Sequence, residues 1–330
     1  MKRILITGGA GFIGYHLAKH LLKQEENQLL IVDNLQRGKM DRDFKELLRN
    51  PKVKFVNADL TRAAFYDNLK EEFDHIYHLA AVNGTKLFYE IPEQVLRINT
   101  LSLIYILDWI SKQKKKPKFC FTSSSEAYAG ALEAFGQLPI PTPENVPLVV
   151  SDTYNPRWSY GGSKLVGELF VINYAKAYNF PAIIVRPYNF YGPRAGYGHV
   201  IPDFCLRVAK RIDPFPIFGA DNTRTFCYIS DAVEAMQMLM DSKAVNHQPI
   251  ETVHIGNTKE INMKDLAEEL FKAAGWRPAK LDIKPAPMGS VKRRLSDISK
   301  IKKLIGWTPK TSLAEGLAKT LDWNSKHPKG

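Results

Sequence analysis

Along the first 130 residues, short apolar runs alternate with longer stretches whose apolar positions recur every three to four residues. Residues 4–7, 29–32, 53–56, 75–78 and 119–122 are rich in β-branched and aromatic side chains and are bounded by polar or turn residues, which predicts strands. Between them, 11–24 and 98–113 carry a helical period. Strands alternating with helices predict a parallel sheet with right-handed crossovers and helices on both faces. The pattern breaks between 129 and 157, where Pro139, Pro141, Pro143, Pro147 and Pro156 predict a long loop, and loops of that length are usually functional. A helix over 160–178 and a strand over 182–186 follow. The remainder mixes helices with proline-rich connections and suggests a smaller lobe. The expected fold is α/β: a doubly wound parallel sheet over 1–180, joined by some later segments, with a smaller α/β substrate lobe formed mainly by 181–330.

Where the first predicted strand meets the first helix, the chain reads Thr7-Gly8-Gly9-Ala10-Gly11-Phe12-Ile13-Gly14. Gly8, Gly11 and Gly14 allow a tight turn, a close approach of backbone to a diphosphate, and packing of helix on sheet. Free N–H groups at the helix start, Phe12 and Ile13 among them, favour an anion there. The strand before and the helix after are the context that gives the glycine pattern its meaning, a Rossmann-type dinucleotide site. Asp33 ends the second strand 19 residues after Gly14, close to the expected spacing of about 20. A carboxylate there, with Asn34 beside it, suits the ribose hydroxyls of NAD and opposes the extra phosphate of NADP. Arg37 is near enough in sequence to argue the other way.

Tyr160 and Lys164 are four residues apart at the start of a predicted helix, so they share a face. An ammonium beside a phenol lowers its pKa from about 10 and makes it a usable base. Ser124, hydrogen-bonded to the same hydroxyl, completes a device for oxidising an alcohol.

With these residues in place the chain resembles the extended short-chain dehydrogenase/reductases that act on nucleotide sugars. The resemblance spans nearly the whole chain and rests on residues 7–14, Asp59-Leu60, His78-Leu79-Ala80-Ala81, Asn99, residues 123–128, Tyr160 with Lys164, residues 186–194, Arg224, residues 228–231 and Gly306-Trp307-Thr308-Pro309. It implies a bound NAD recycled in each turnover, a nucleotide-diphosphate sugar as substrate, and a homodimer through two helices per subunit. It also implies that Asp59 and Leu60 flank the adenine and that Ala80 and Asn99 line the cofactor cleft. Pro187 and Asn189 approach the nicotinamide and the substrate phosphates, and Arg224 and Arg294 clamp the diphosphate.

The step shared by such a family is oxidation at sugar carbon 4, so the reaction is decided by what stands beside carbons 5 and 6. Here Glu126 follows Ser124 and Ser125. A simple 4-epimerase has no evident use for Glu126, and one group of 4,6-dehydratases carries an acid where Ser125 stands. The UDP-glucuronate decarboxylases resemble this chain more closely, with a glutamate at this place, an arginine–tryptophan pair before the tyrosine, and a catalytic arginine near the C-terminus. Arg157-Trp158 and Arg293-Arg294 match, while Ser124 replaces a threonine and Ser296 a common proline. Decarboxylation of a nucleotide hexuronate is therefore the leading expectation, with Ser124, Glu126, Tyr160 and Lys164 catalytic. A 4-epimerase comes next and a 4,6-dehydratase third. A catalytically idle NAD-binding regulator would have no need of the intact Ser124, Tyr160 and Lys164 set.

Composition adds little that competes. Of 330 residues, 45% are hydrophobic and 24% charged, ordinary for a globular chain. No segment has the ~18 consecutive apolar residues of a membrane span, and the N-terminus reads as a strand rather than a signal peptide, so a cytoplasmic location without membrane contact is expected. The net charge of +12 comes with no nucleic-acid-binding motif and would instead favour an anionic substrate. The basic run from Lys112 to Lys118 reads as a solvated helix end. Cys120, Cys205 and Cys227 are isolated, which predicts buried thiols and neither a disulfide framework nor a zinc site.

Overall fold

The computed structural model describes residues 1–243, 250–286 and 291–327. Its central sheet has seven parallel strands: β1 (Lys2–Thr7), β2 (Asn27–Asp33), β3 (Val53–Asn57), β4 (His75–His78), β5 (Lys118–Thr122), β6 (Ala182–Pro187) and β11 (Ile250–Ile255). They lie in the order β11-β6-β5-β4-β1-β2-β3. Successive side chains of a strand point to opposite faces, and both faces are covered here. Ile4 and Ile6 enter one core with Leu17, Ala18 and Met236. Leu5 enters the other with Leu103, Ile106 and Val171. That two-sided burial explains why these strands are near-continuous apolar runs.

Helices α1 (Phe12–Leu21), α2 (Arg42–Leu47), α3 (Ala63–Asp67), α4 (Thr85–Glu90), α5 (Pro92–Lys112), α6 (Gly130–Phe135) and α7 (Trp158–Tyr178) connect the first six strands. The pair α5 and α7 pack side by side on one face. Helix α5 starts at Pro92, before the predicted 98, because proline pre-sets the first-turn geometry and lacks only a donor that has no partner there. The stretch 129–157 is not a structureless loop: it holds α6, closed by Gly136 at φ +68, and only beyond it do the prolines enforce irregular chain. The basic run does end α5, and Lys116 Nζ donates to the carbonyls of Ile110 and Ser111 there.

Beyond β6 the chain builds β7 (Phe190–Tyr191), α8 (Val200–Ala209), β8 (Phe215–Phe218), β9 (Thr223–Thr225), β10 (Cys227–Tyr228) and α9 (Ile229–Asp241). After β11 come β12 (Glu260–Asn262), α10 (Met263–Ala274), β13 (Leu281–Lys284), β14 (Arg293–Arg294), α11 (Ser299–Ile305) and α12 (Leu313–Lys326). Strands β12, β9 and β14 form a small sheet of three, and β13 pairs with β8. Helix α12 packs on α8 and α10. Strand β1 sits between β2 and β4, so the connections leaving β1 and β4 turn opposite ways and open a crevice at the strand ends. The small β12-β9-β14 sheet contributes Arg224 and Arg294 to the walls of that crevice.

The C-terminal segment is tied back by Asp231, in the first turn of α9. Its carboxylate accepts the N–H groups of Lys310 and Thr311 and the Thr311 hydroxyl at 2.8–3.0 Å. Asp231→Ala should therefore cost about 2–3 kcal/mol, since it leaves inward-facing donors unpaired. Urea unfolding checks this, and an unchanged midpoint would show that the tether contributes nothing.

Candidate active site

The loop after β1 is shaped by close approach. A β-carbon on Gly14 would lie 2.5 Å from the Gly8 carbonyl oxygen and the Gly9 Cα, so only glycine lets the helix start this near the strand end. Helix α1 begins with no side-chain cap, which leaves its first N–H groups without intrahelical partners at the cleft. Asp33 closes β2, buried, with its carboxylate accepting from the N–H of Ala10 at 3.1 Å and of Leu35 at 2.8 Å. Burial raises its pKa, and the two backbone donors pull it down in part. Asp59, held by the N–H and hydroxyl of Thr61, lines the cleft with Asn34, Leu60, Ala80 and Pro187. This glycine-lined helix start and buried acid fit a dinucleotide.

At the end of β5 the chain turns through a short 3-10 segment, Ser125–Tyr128, and Ser124 caps it by accepting the Glu126 N–H at 3.1 Å. Helix α7 approaches this turn closely: a β-carbon on Gly161 would lie 2.8 Å from the Glu126 carbonyl oxygen. Ser124 and Tyr160 thereby meet, and their hydrogen bond lowers the phenol pKa against a larger rise from burial. Phe88 stacks on the Tyr160 ring with centroids 4.9 Å apart. Lys164 Nζ donates to the Thr122 carbonyl at 2.7 Å and stands behind Tyr160, outside the cleft wall. Burial brings its pKa down to about 7, opposed by Glu168. The lowered phenol pKa expected from a neighbouring ammonium is therefore not the outcome of this packing. Desolvation acts on both groups and favours neutral phenol and neutral amine.

Glu126 turns into the cleft between two arginines. Arg294 Nη1 donates to Oε1 at 2.7 Å and Arg157 Nη2 to Oε2 at 3.4 Å. Burial would raise the Glu126 pKa, but Arg294 and Arg157 more than offset it, and the group is held ionised. Arg224 lines the same cleft, and burial with the neighbouring Arg294 lowers its pKa to about 10.

Most of the predicted residues meet at this crevice. Gly8, Gly11, Phe12, Ile13, Gly14, Asp33, Asn34, Asp59, Leu60, Ala80, Ser124, Glu126, Tyr160, Pro187, Asn189, Arg224 and Arg294 all line it. Asn99 does not. It is buried one layer back, where it accepts the Val82 N–H at 2.7 Å and donates to Ser163 Oγ at 3.1 Å, so it shapes the wall through Val82. Arg294, expected on a diphosphate with Arg224, is instead the close partner of Glu126. Asn189 donates to the Thr225 carbonyl at 2.8 Å, which links the edge of the sheet to β9. The individual signals left unassigned His199, Tyr197 and Phe226, which also line the cleft and come from a region with no periodicity to read. Arg37 reaches across to Gly84, its Nη1 3.3 Å from where a β-carbon would sit.

A model of the family described as GDP-mannose 4,6 dehydratase matches residues 5–320. The chain belongs to this family. Within reach of it, the chain is 33% identical over 331 residues to a UDP-N-acetyl-alpha-D-glucosaminuronate decarboxylase of Bacillus cytotoxicus, covering 98% of this chain and 97% of that protein. It is 30% identical to UDP-glucuronic acid decarboxylase 6 of Arabidopsis thaliana, covering 96% and 86%. Among solved structures it is similar to a UDP-glucuronic acid 4-epimerase of Bacillus cereus, in complex with UDP-glucuronic acid and NAD, with a TM-score of 0.84, 27% identity, and 98% and 99% of the two chains covered. Dehydratases, decarboxylases and epimerases thus share this family fold. No helix among the described residues is long and apolar enough to cross a membrane.

The packing around Lys164 gives a direct test. Its amine should titrate near pH 7 in the ligand-free protein, protonated below and neutral above. Lysine side-chain NMR reads the midpoint, and a value near 10 would overturn the assignment.

Proposed function

We propose that this chain is an NAD-dependent nucleotide-hexuronate decarboxylase. The observation that carries the reading is Glu126, kept ionised by Arg294 and Arg157 one 3-10 turn from Ser124. Loss of water from carbons 5 and 6 needs an acid to protonate the departing hydroxyl. An ionised glutamate has no proton to give, and its neighbour is Ser125. A neutral hexose undergoing simple 4-epimerisation makes no demand on two further arginines. A carboxylate on carbon 6 together with a diphosphate does, and three guanidinium groups in one cleft suit such a substrate. The names of the decarboxylase relatives point the same way.

Gly8, Gly11, Phe12, Ile13 and Gly14 would hold the cofactor diphosphate, Asp33 and Asn34 its adenosine ribose, and Asp59 and Leu60 its adenine. Ala80 and Pro187 would flank the nicotinamide. When bound, NAD supplies the acceptor for the electrons removed at carbon 4. Tyr160 would take the carbon 4 hydroxyl proton after giving its own proton to the neutral amine of Lys164 behind it, with Ser124 steering the exchange. Once carbon 4 is a ketone, the carbon 5–carbon 6 bond can break with its electron pair moving toward that carbonyl oxygen, and carbon dioxide leaves. Ser124 and Tyr160 are the hydroxyls positioned to stabilise the resulting oxyanion. Arg224 and Asn189 would meet the substrate diphosphate, while Arg294 orients Glu126. In this reading residues 1–180, with β6 and β11, form mainly the cofactor part, and 181–330 mainly the nucleotide-sugar part. Leu96 on α5 and Val166 and Leu169 on α7 are exposed apolar residues, which supports a homodimer through those two helices.

Incubation with UDP-glucuronate, UDP-N-acetylglucosaminuronate, UDP-glucose and GDP-mannose, followed by mass spectrometry, tests the reaction. Loss of carbon dioxide from a uronate is expected, whereas loss of water, or isomerisation at constant mass, would replace the reading. In the same assay Glu126→Gln should leave oxidation at carbon 4 intact and slow decarboxylation by about 10²-fold or more, so that the 4-keto uronate builds up. Full turnover in that variant would remove Glu126 from the chemistry. By calorimetry NAD should bind at least about tenfold, or ~1.4 kcal/mol, more tightly than NADP. Equal affinities would show that Arg37 accepts the additional phosphate in spite of Asp33.

A further inference from the structure

We propose that Arg194 and Trp323 are positioning residues for the cofactor, which clamp its two loops from outside and so retain NAD. The inference concerns NAD and is independent of the reaction at carbons 5 and 6. Both residues belong to the chain beyond β6, whereas the loops, residues 8–14 and 34–41, follow β1 and β2. Arg194, shortly after β7, has φ +66, a conformation that non-glycine residues keep only where their surroundings impose it. Its side chain is 5% exposed, with Nη2 2.7 Å and Nε 2.9 Å from one carboxylate oxygen of Asp41. Nη2 also lies 3.4 Å from the Ala10 carbonyl oxygen and 3.5 Å from that of Lys39. The guanidinium lies over the Tyr15 ring on α1, 4.2 Å from its centroid. One planar fork therefore meets both loops and the first helix. Beside it, His16 Nε2 on α1 donates to the Pro193 carbonyl at 2.8 Å. Trp323, near the end of α12, donates Nε1 to Asp43 of α2 at 3.1 Å.

What these contacts restrain is the loop 34–41. Asn34, Gln36, Arg37, Gly38, Lys39 and Asp41 all border the cleft, so this loop is the wall that yields when the adenosine half leaves. On its inner side it is closely seated. A β-carbon on Gly38 would lie 2.7 Å from the Ala10 side chain and 2.9 Å from the Asp33 carboxylate. The loop's own bond to its neighbour is weak, with the Lys39 N–H 3.4 Å from the Ala10 carbonyl oxygen. The firm hold is at Asp41. One of its oxygens caps α2 by accepting the Phe44 N–H at 2.8 Å, and the other takes Arg194. Two residues on, Trp323 pins α2 through Asp43, and its side chain borders the cleft as well. Swinging the loop outward therefore breaks a charge-assisted bond, about twice as strong as a neutral one, and the indole bond with it.

The test is the rate at which the NAD-loaded protein releases NAD, with the freed cofactor trapped by excess alcohol dehydrogenase and ethanol and read as NADH absorbance. Arg194→Gln should release it roughly 10- to 100-fold faster, the worth of a hydrogen bond between charged groups. Asp41→Asn keeps an equally good helix cap and loses only the charge, and Trp323→Phe loses only the indole donor. Each of these should speed release by roughly three- to tenfold. The control is Trp109→Phe, which removes a buried bond to the Leu69 carbonyl in the other core, far from both loops in sequence. It should lower the thermal midpoint and leave the release rate at the wild-type value. If Trp109→Phe speeds release as much as the clamp variants do, release follows overall stability and the inference is wrong. A wild-type rate in Arg194→Gln also overturns it. Should Arg194→Gln fail to fold, wild-type rates in both Asp41→Asn and Trp323→Phe do the same.

Discussion

The site depends on one buried ion pair behind it. Arg186, on β6, donates through Nε and Nη2 to the two oxygens of Glu168 on α7 at 2.8 and 2.7 Å. Both side chains are almost fully buried, 5% and 3% exposed. The third face of the guanidinium is used as well, with Nη1 on the Glu144 carbonyl at 2.8 Å. Ser123, the residue after β5, donates its hydroxyl to Glu168 at 2.5 Å. The pair therefore joins a helix, the ends of two strands and the irregular chain after α6. Glu144 carries the link further, because its carboxylate accepts the His254 N–H on β11 at 2.9 Å. Removing either partner would leave an uncompensated charge in the interior, which is far more costly than the pair is stabilising. What the pair provides is position: Ser124 follows Ser123, and Tyr160 and Lys164 lie two turns and one turn before Glu168 on α7.

That arrangement also sets the electrostatics on either side of Tyr160. Behind the ring, Lys164 has a backbone carbonyl and the field of Glu168 to hold its charge, against a desolvation that brings its pKa to about 7. In front, Glu126 is surrounded by arginines and its charge is secure. The phenol thus lies between an amine poised near neutrality and a carboxylate fixed as an anion. Two titratable environments pushed apart in this way would, in the proposed reaction, separate proton transfer at carbon 4 from events at carbons 5 and 6. The asymmetry arises from which side faces solvent and ligand. It owes little to the residue types alone.

The fold and the loop after β1 were legible because their signals are local. Apolar runs mark β1 to β6 to within one or two residues, and the spacing from Gly14 to Asp33 is a property of one strand–helix–strand unit. The start of α5 was missed since Pro92 looks like a breaker until it is recognised as a first-turn residue. Asn99 was misplaced by one layer, because sequence gives proximity to the cleft without direction. The least legible feature was Glu126 with Arg294, 168 residues apart, whose meeting depends on β14 adding to β9. Electrostatics were equally hidden: the spacing of Tyr160 and Lys164 shows that they share a face, but the size of the desolvation that reverses the expected shift depends on Phe88, Phe121 and the rest of the packed surroundings.

The division of labour in this architecture explains how one family accommodates elimination, decarboxylation and inversion. Ser124, Tyr160 and Lys164 depend on the buried Arg186–Glu168 pair, so altering them disturbs the core. Glu126, Arg157 and Arg294 hold one another at the cleft, with Arg157 also over Trp158 and Arg294 on β14. Each faces the cleft and each is only partly buried, at 17–23% exposure. In the proposed reaction the oxidation at carbon 4 would thus be held by side chains anchored to the core, and the second step by side chains at the cleft surface. A ketone at carbon 4 activates every bond one carbon away, and which bond breaks is left to the few side chains around Glu126. In this chain those side chains are a fixed anion and two guanidinium groups, a set that receives a carboxylate more readily than it protonates a leaving hydroxyl.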